Sequence, residues 1–449
     1  MSNQKQKASL LDLTLILSNA VDLINPILHN HHKQVAYIAY HLAKEVALEE
    51  KKHNDLLIAS LLHDIGGLTL EDRLLTLQFE VEKPYQHAIT AYLLLKNYDA
   101  LQDVATIIKY HHLPWENGEG QTVGDEIVPF ESHIIHLADR IAVLINRDKE
   151  ILSQVNRISR LLEAQNKKMF HPTIIKAFNK IKFKESFWLD IVSPFTDYRI
   201  RRMWIGNSSL LDLDDLIKMA KIIGQVVDFR SRFTALHSSG VAAVAESIAQ
   251  RCNWTAEECR KIRIAGYLHD IGKLAIPNNI LEKKDKLTLE EYNIVKAHTY
   301  YSYYLLDSID ALREINEYAS LHHERLDGSG YPFHHDEKSL NEGSRIMAVA
   351  DVFTAITEDR PYRVGMPKEE ALGLMEKMAN NNALDHQLIS LLKSNYDEIN
   401  SIRSSAQKQA LIEYEGFSQE INTIRSYDDD EEMFDHSSYS ELIYIGRVQ

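Results

Sequence analysis

An all-α protein of two tandem helical bundles is the fold class this sequence predicts, and three observations predict it. Apolar residues recur at helical spacing, and no convincing stretch alternates as a half-buried strand would. Seventeen glycines and ten prolines in 449 residues are too few for a β-rich or long disordered chain. An ordered set of residues in the first half also returns in the second, which marks a duplication.

The first element is the run Leu10–Leu17, preceded by Lys5 and Lys7. That outline resembles a signal peptide, but Asp12 interrupts it and Ser9-Leu-Leu-Asp-Leu13 recurs as Ser209-Leu-Leu-Asp-Leu213, so an amphipathic helix is expected. After a six-residue length difference, His31 falls opposite His237, each 32 residues before an HDIG tetrapeptide beginning at His63 or His269. His87 and His298 each lie 24 residues before a His-His pair, His111-His112 or His322-His323. Ala-Asp dipeptides ending at Asp139 and Asp351 follow, and Phe170–Phe178 has a loose echo at Leu384–Leu392. One domain of about 190 residues is thus present twice. Val241, Val244, Ala245 and Ile248 form a helical face, as do Ile346, Val349, Ala350 and Phe353. Glycines after each HDI mark helix ends. The expected division is a first copy over 1–190, a linker over 191–208 with a basic patch at Arg199, Arg201 and Arg202, a second copy over 209–400, and a polar, acidic segment over 401–449. The acidic run Asp428–Glu432 reads most simply as solvated.

Composition narrows the partners. A net charge of −15 argues against nonspecific binding to nucleic acid or an anionic membrane, so an anionic substrate needs a local basic cluster. No uncharged apolar stretch reaches the roughly 18 residues of a membrane span. Cys252 and Cys259 fit neither a disulfide framework nor a common zinc motif, and a reducing, cytoplasmic setting is expected.

The chemistry lies in His237, His269, Asp270, His298, His322, His323 and Asp351, which occupy separate helical segments. A lone histidine on an apolar face is usually a core residue. Seven ionisable groups repeated in order are different, because burying them is costly unless they bind cations. Imidazole and carboxylate donors without thiolates suit iron, manganese, nickel or zinc. Asp270 can bridge two ions, and a dimetal pair can activate water and clamp a phosphate.

His269-Asp-Ile-Gly-Lys273, followed by His322-His-Glu-Arg-Leu-Asp-Gly-Ser-Gly-Tyr-Pro332, resembles the HD-GYP family of cyclic dinucleotide phosphodiesterases over about Leu210–Leu392. The resemblance implies two HD-type helical bundles and two divalent ions, usually iron or manganese. It implies that His237, His269, Asp270 and Asp351 hold one ion, and Asp270, His298, His322 and His323 the other. It gives Lys273 a substrate phosphate, and gives Arg360 and Arg363 of the Arg-Pro-Tyr-Arg motif the same kind of contact, with Arg345 nearby. Asp327–Pro332 reads as a shaped loop that supports the metal-site helix or faces a protein partner.

Two departures refine this. Phe233 stands where some members have a glutamate for a third metal, so two metals are expected. Thr354 replaces an aspartate that can read a guanine edge, which makes a hybrid such as 3′,3′-cyclic GMP-AMP a candidate beside cyclic di-GMP. Bacterial cyclic GMP-AMP phosphodiesterases of the same family pair a diverged HD domain with an HD-GYP domain, as this chain does.

The first copy keeps His31, His63, Asp64, His87, His111, His112 and Asp139 but has Gly67 in place of Lys273 and lacks the GYP loop and the arginine motif. A metal-binding or structural regulatory domain is expected there. The function expected for the second copy is hydrolysis to a linear 5′-phosphorylated dinucleotide. The alternatives are a receptor that binds without cutting and another HD-type phosphohydrolase.

Overall fold

A computed structural model describes residues 7–23, 30–67, 85–206, 210–229, 236–283, 285–359 and 363–430, with side chains through 422. Helices follow one another in chain order. The first is α1 (Leu10–Asp22). The first copy then supplies α2 (His31–Glu45), α3 (Glu50–Leu62), α4 (Tyr85–Leu95), α5 (Gln102–Lys109), α6 (Phe130–Val143), α7 (Val155–Ala164), α8 (Pro172–Ile181), α9 (Glu185–Ile191) and α10 (Thr196–Met203). The second copy supplies α11 (Leu213–Asp228), α12 (His237–Arg251), α13 (Ala256–Leu268), α14 (Asn278–Leu281), α15 (Leu289–Asp307), α16 (Arg313–Ser320), α17 (Glu342–Thr357), α18 (Lys368–Asn380), α19 (His386–Ser394) and α20 (Tyr396–Asp430). Among the described residues the one sheet is a two-stranded hairpin, Thr122–Val123 against Glu126–Ile127. No helix there is long and apolar enough to cross a membrane.

Local chemistry accounts for where the helices begin. Ser9 and Asp12 form a capping box at α1, and Thr255 with Glu258 and Thr288 with Glu291 do the same at α13 and α15. Each box satisfies backbone donors that the first turn leaves open, worth about 1 kcal/mol. Both expected apolar faces are sealed: Val241, Val244, Ala245 and Ile248 on α12, and Ile346, Val349, Ala350 and Phe353 on α17, are inaccessible to solvent.

Contacts divide the chain into two compact units. One is Met1–Asn30 with Gly206–Tyr414, and the other is His31–Ile205 with Glu415–Gln449. The expected division at 190 and 209 follows chain order, whereas α1 packs against α15 and the 3₁₀ turn Ile271–Ala275 of the second copy. The expected linker contains α10, which packs on α2, and Lys33 of α2 pairs with Asp197 at 2.7 Å. The tail expected to start at 401 falls inside α20, and the side chains of its acidic run lie outside the described residues.

The repeated Ser-Leu-Leu-Asp-Leu segments differ in conformation. The first enters a helix at once, while in the second, described from Leu210 on, the helix begins only after the extended Asp212 caps α11. The two stretches pair: Ser9 bridges Leu210, and the Leu211 amide donates to Ala8 O at 2.9 Å.

Within each unit the same five helices surround a centre, α2 to α6 in one and α12, α13, α15, α16 and α17 in the other. In the first, α2 packs on α3 and α6 while α5 packs on α3 and α4. In the second, α12 packs on α13 and α17 while α16 packs on α13, α15 and α17. The glycine of each HDIG is needed for close approach rather than for a turn. A Cβ at Gly66 would lie 2.0 Å from the His87 carbonyl, and one at Gly272 would lie 1.9 Å from that of His298.

Candidate metal centre

Five elements of the second copy deliver its side chains. His237 opens α12, His269 and Asp270 follow the end of α13, His298 lies within α15, His322 and His323 follow α16, and Asp351 lies within α17. All seven are brought together. Asp270 sits between two groups: its Oδ2 is 3.0 Å from His269 Nε2, while its Oδ1 is 3.4 Å from His298 Nε2 and 4.0 Å from His322 Nε2. Asp351 Oδ1 lies 3.1 Å from His237 Nε2, and its Oδ2 lies 3.8 Å from His323 Nδ1. His237, His269 and Asp270 can converge on one cation, and His298, His322 and His323 on another.

Three observations fit this set to metals. His269 Nε2 and Asp270 Oδ1 are buried without a hydrogen-bond partner, a costly state unless a cation completes them. The Nδ1 atoms of His269, His298 and His322 each meet the carbonyl three residues back, at 2.8, 2.6 and 2.6 Å. That bond places the proton on Nδ1 and turns the Nε2 lone pair inward. Burial also pushes His298 down to about 3, and lowers His322 and His323, so these imidazoles are neutral donors at pH 7.

The charges around the carboxylates are set by neighbours. Burial would raise Asp270, but His269 and Lys273 outweigh it and hold the carboxyl well below its usual range. Lys273 Nζ lies 2.5 Å from Asp270 Oδ2 and keeps a partly exposed side chain, so it can also face an incoming anion. The cage opens toward solvent at His323, whose side chain is 30% accessible.

The first copy assembles the same figure. Asp64 Oδ2 is 3.3 Å from His63 Nε2 and 3.7 Å from His31 Nε2; its Oδ1 is 3.3 Å from His87 Nε2 and 3.8 Å from His111 Nε2. His31 Nε2 lies 3.1 Å from Asp139 Oδ1, and His112 Nε2 lies 2.9 Å from His87 Nε2. Two groups here too can hold cations: His31, His63 and Asp64, and Asp64, His87, His111 and His112. All seven side chains are buried. In this copy the neighbouring cation is Arg140, 1% exposed, which donates through Nε (3.1 Å) and Nη2 to Asp139 Oδ2.

Residues 28–144 and 216–388 each match a family model described as an HD domain. The 3′3′-cGAMP-specific phosphodiesterase 1 of Vibrio cholerae serotype O1 is 30% identical over 397 residues, covering 84% of this chain and 90% of that protein. The chain belongs to the HD-GYP cyclic dinucleotide phosphodiesterases. The 3′3′-cGAMP-specific phosphodiesterase 3 of the same organism is 27% identical, covering 88% of this chain and 96% of its own. A cyclic di-GMP phosphodiesterase of Pseudomonas aeruginosa is 38% identical over 193 residues, covering 41% of this chain and 46% of that one. The crystal structure of a cyclic GMP-AMP specific phosphodiesterase of V. cholerae shares the fold at a TM-score of 0.58 and 23% identity, covering 90% of this chain and 98% of that one. The expected all-α architecture of two HD domains holds.

Other residues expected at the HD-GYP site are placed differently. Arg345 is engaged by the fold: Nε donates to Leu340 O at 3.0 Å, Nη1 pairs with Asp385 at 3.2 Å, and Nη2 donates to Glu337 O. Thr354 was expected to face a base. Its side chain is fully buried, and a Cβ on Gly240 would lie 2.9 Å from its methyl, which places it in the packing of α17 on α12. Arg363 is exposed and donates to Ala355 O, while Arg360 and Phe233 lie outside the described residues.

The GYP loop is fastened from beneath. Buried Glu324 accepts from the Phe333 amide at 2.7 Å and the His335 amide at 3.0 Å, Gly328 takes φ +75°, and the Tyr331 ring lies 4.9 Å from that of His323. Sequence reasoning missed Glu324, Arg140 and Glu358, which contacts His237. For two of them the signal was adjacency, since Glu324 directly follows His323 and Arg140 follows Asp139; Glu358 offered none.

Proposed function

We propose that the C-terminal copy opens a cyclic dinucleotide, 3′3′-cGAMP or cyclic di-GMP, to a linear 5′-phosphorylated dinucleotide. Support comes from Asp270, whose two oxygens face two separate histidine groups while Lys273, partly exposed, pairs with one of them. His237, His269, Asp270 and Asp351 would hold one divalent ion, and Asp270, His298, His322 and His323 the second, with iron or manganese ahead of nickel or zinc. When bound, such a pair supplies Lewis acidity and an activated water. Lys273 orients a phosphate oxygen by its charge, and Tyr331 steadies His323 at the opening. Water adds to phosphorus, the P–O3′ bond breaks, O3′ takes a proton, and the phosphate stays on the 5′ side. Arg363 and Arg360 of the Arg-Pro-Tyr-Arg motif would add charge for a second phosphate.

The 3′3′-cGAMP specificity of the two long Vibrio relatives supports the hybrid substrate. The test is chromatographic: incubate the full chain with Mn²⁺ or Fe²⁺ and each of 3′3′-cGAMP, cyclic di-GMP and cyclic di-AMP. Linear dinucleotide from one or both of the first two supports the reading. Ligand recovered bound but uncut replaces it with a receptor.

For the N-terminal copy we propose a closed metal-binding domain with a structural or regulatory role. Its cage is fully buried, Gly67 removes the phosphate-facing lysine, and Arg140 takes one oxygen of Asp139.

A further inference from the structure

Of the five imidazoles that surround Asp270 and Asp351, those of His269, His298 and His322 are aimed by the carbonyls three residues back, and His323 turns its Nδ1 toward Asp351. His237 is different. It is the first residue of α12. Its Nδ1 instead meets Glu358 Oε2 at 3.2 Å, while Nε2 faces Asp351 Oδ1 at 3.1 Å. Glu358 is 4% exposed and caps the C-terminus of α17. It is held in turn from α20: Gln407 Nε2 donates to Glu358 Oε2 at 2.9 Å, and Arg403 Nη1 donates to Gln407 Oε1. Arg403 and Gln407 are themselves buried. Room for this contact depends on a glycine of α12, because a Cβ at Gly240 would lie 2.8 Å from Gln407 Nε2.

We propose that Glu358 is a positioning residue that fixes the tautomer and direction of His237 as a metal ligand, with Gln407 and Arg403 of α20 holding Glu358 in place. The inference rests on the reading of His237 as a ligand given above. A carboxylate is a stronger acceptor than a backbone carbonyl, so it both orients the ring and makes Nε2 a better donor. The neighbouring copy has no such group at the matching place. Seven residues after Asp139 stands Asn146, whose amide donates to Gln154 Oε1 at 2.8 Å. Helix α20 therefore belongs to the support of the candidate centre, rather than being a polar tail appended to it.

The test measures metal binding and not turnover. Full-length wild type, Glu358→Gln, Glu358→Ala and Gln407→Met are titrated with Mn²⁺ against a competing chelator, and each is melted with and without Mn²⁺. Glu358→Ala is expected to weaken the His237 half-site about 10- to 100-fold. Glu358→Gln keeps an oxygen for Nδ1–H and should fall between alanine and wild type. Gln407→Met should weaken binding less than Glu358→Ala, and it reads the chain of contacts independently if the alanine variant folds poorly. The stabilisation that Mn²⁺ confers should shrink in the same order. Unchanged affinity in Glu358→Ala would overturn the proposal, as would equal loss in Gln and Ala accompanied by the same drop in melting temperature with and without metal. A wild type that takes up no Mn²⁺ overturns this inference together with the proposed centre. Metal-loaded wild type that leaves every cyclic dinucleotide intact overturns only the proposed reaction.

Discussion

In the C-terminal copy a partly exposed lysine pairs with the central aspartate, Asp270; in the N-terminal copy a buried arginine pairs with the other aspartate, Asp139. The imidazole and carboxylate positions are otherwise superimposable in kind, with one aspartate dividing two histidine groups in each. The difference teaches that a cage and its access are separate properties. Seven ligand-type side chains can be kept while one cation moves from the mouth to the interior, and only the first arrangement leaves positive charge for an anion. The N-terminal copy also carries a further buried imidazole, His133, against the Gly120 carbonyl and the His171 ring.

The widest gap between the copies should appear in turnover. Asp270→Ala removes the group shared by both histidine sets and should reduce cyclic dinucleotide hydrolysis about a thousandfold or more. Asp64→Asn in the other copy should leave the rate within a few-fold. Comparable losses from both would mean that the N-terminal cage takes part in the reaction.

Stability should show the reverse asymmetry. Arg140→Met leaves Asp139 buried without its cation and is expected to cost about 3–5 kcal/mol, read by denaturant unfolding. Val352, which follows Asp351 at the matching position, should tolerate substitution by Ala at the smaller cost of a lost aliphatic contact. A neutral outcome for Arg140→Met would remove the argument that this arginine balances the closed cage.

Acid should act on the N-terminal copy through His133. Burial pushes this imidazole down from 6.5 to about 4. Between those values the unfolded chain binds a proton that the folded one refuses. The stability contribution is therefore complete above pH 6.5 and is lost as pH falls toward 4, by up to about 3 kcal/mol. His133→Asn should flatten that part of the pH–stability curve, and an unchanged slope would point to other groups.

The smallest expected effect is the most pointed. Lys273→Gly recreates the residue that the other copy has at Gly67 and should lower kcat/KM about 10- to 50-fold while leaving metal content unchanged. Loss of metal in that variant would show the lysine to be support for Asp270 rather than a contact for phosphate.

Much of this was readable from the residues. The seven ligand-type positions of each copy could be found because ligand atoms must be imidazole or carboxylate and because the duplication fixed their order. The apolar faces of α12 and α17 followed from spacing alone. What failed was whatever depends on partners distant in sequence or on side-chain direction. Thr354 and Arg345 sit at suitable intervals, yet one turns into the α12 contact and the other is consumed by Leu340, Glu337 and Asp385. Helices do end at each HDIG, at Leu62 and Leu268, but the reason a glycine is needed there, the close carbonyls of His87 and His298, could not be read from spacing. Glu358 was invisible because its meaning depends on His237, 121 residues away.

The location of α1 carries a practical consequence for anyone cutting the gene. The helix bearing Leu13, Leu15, Ile16 and Leu17, all essentially inaccessible, belongs to the unit that contains the C-terminal copy, although the whole N-terminal copy separates it from the rest in the chain. A fragment beginning at residue 209 would strip that wedge from α15 and the turn after Asp270, baring oily surface beside the reactive pocket. Excising the N-terminal copy, so that the opening helix is joined directly to Gly206, is the dissection that respects how the polypeptide is laced together.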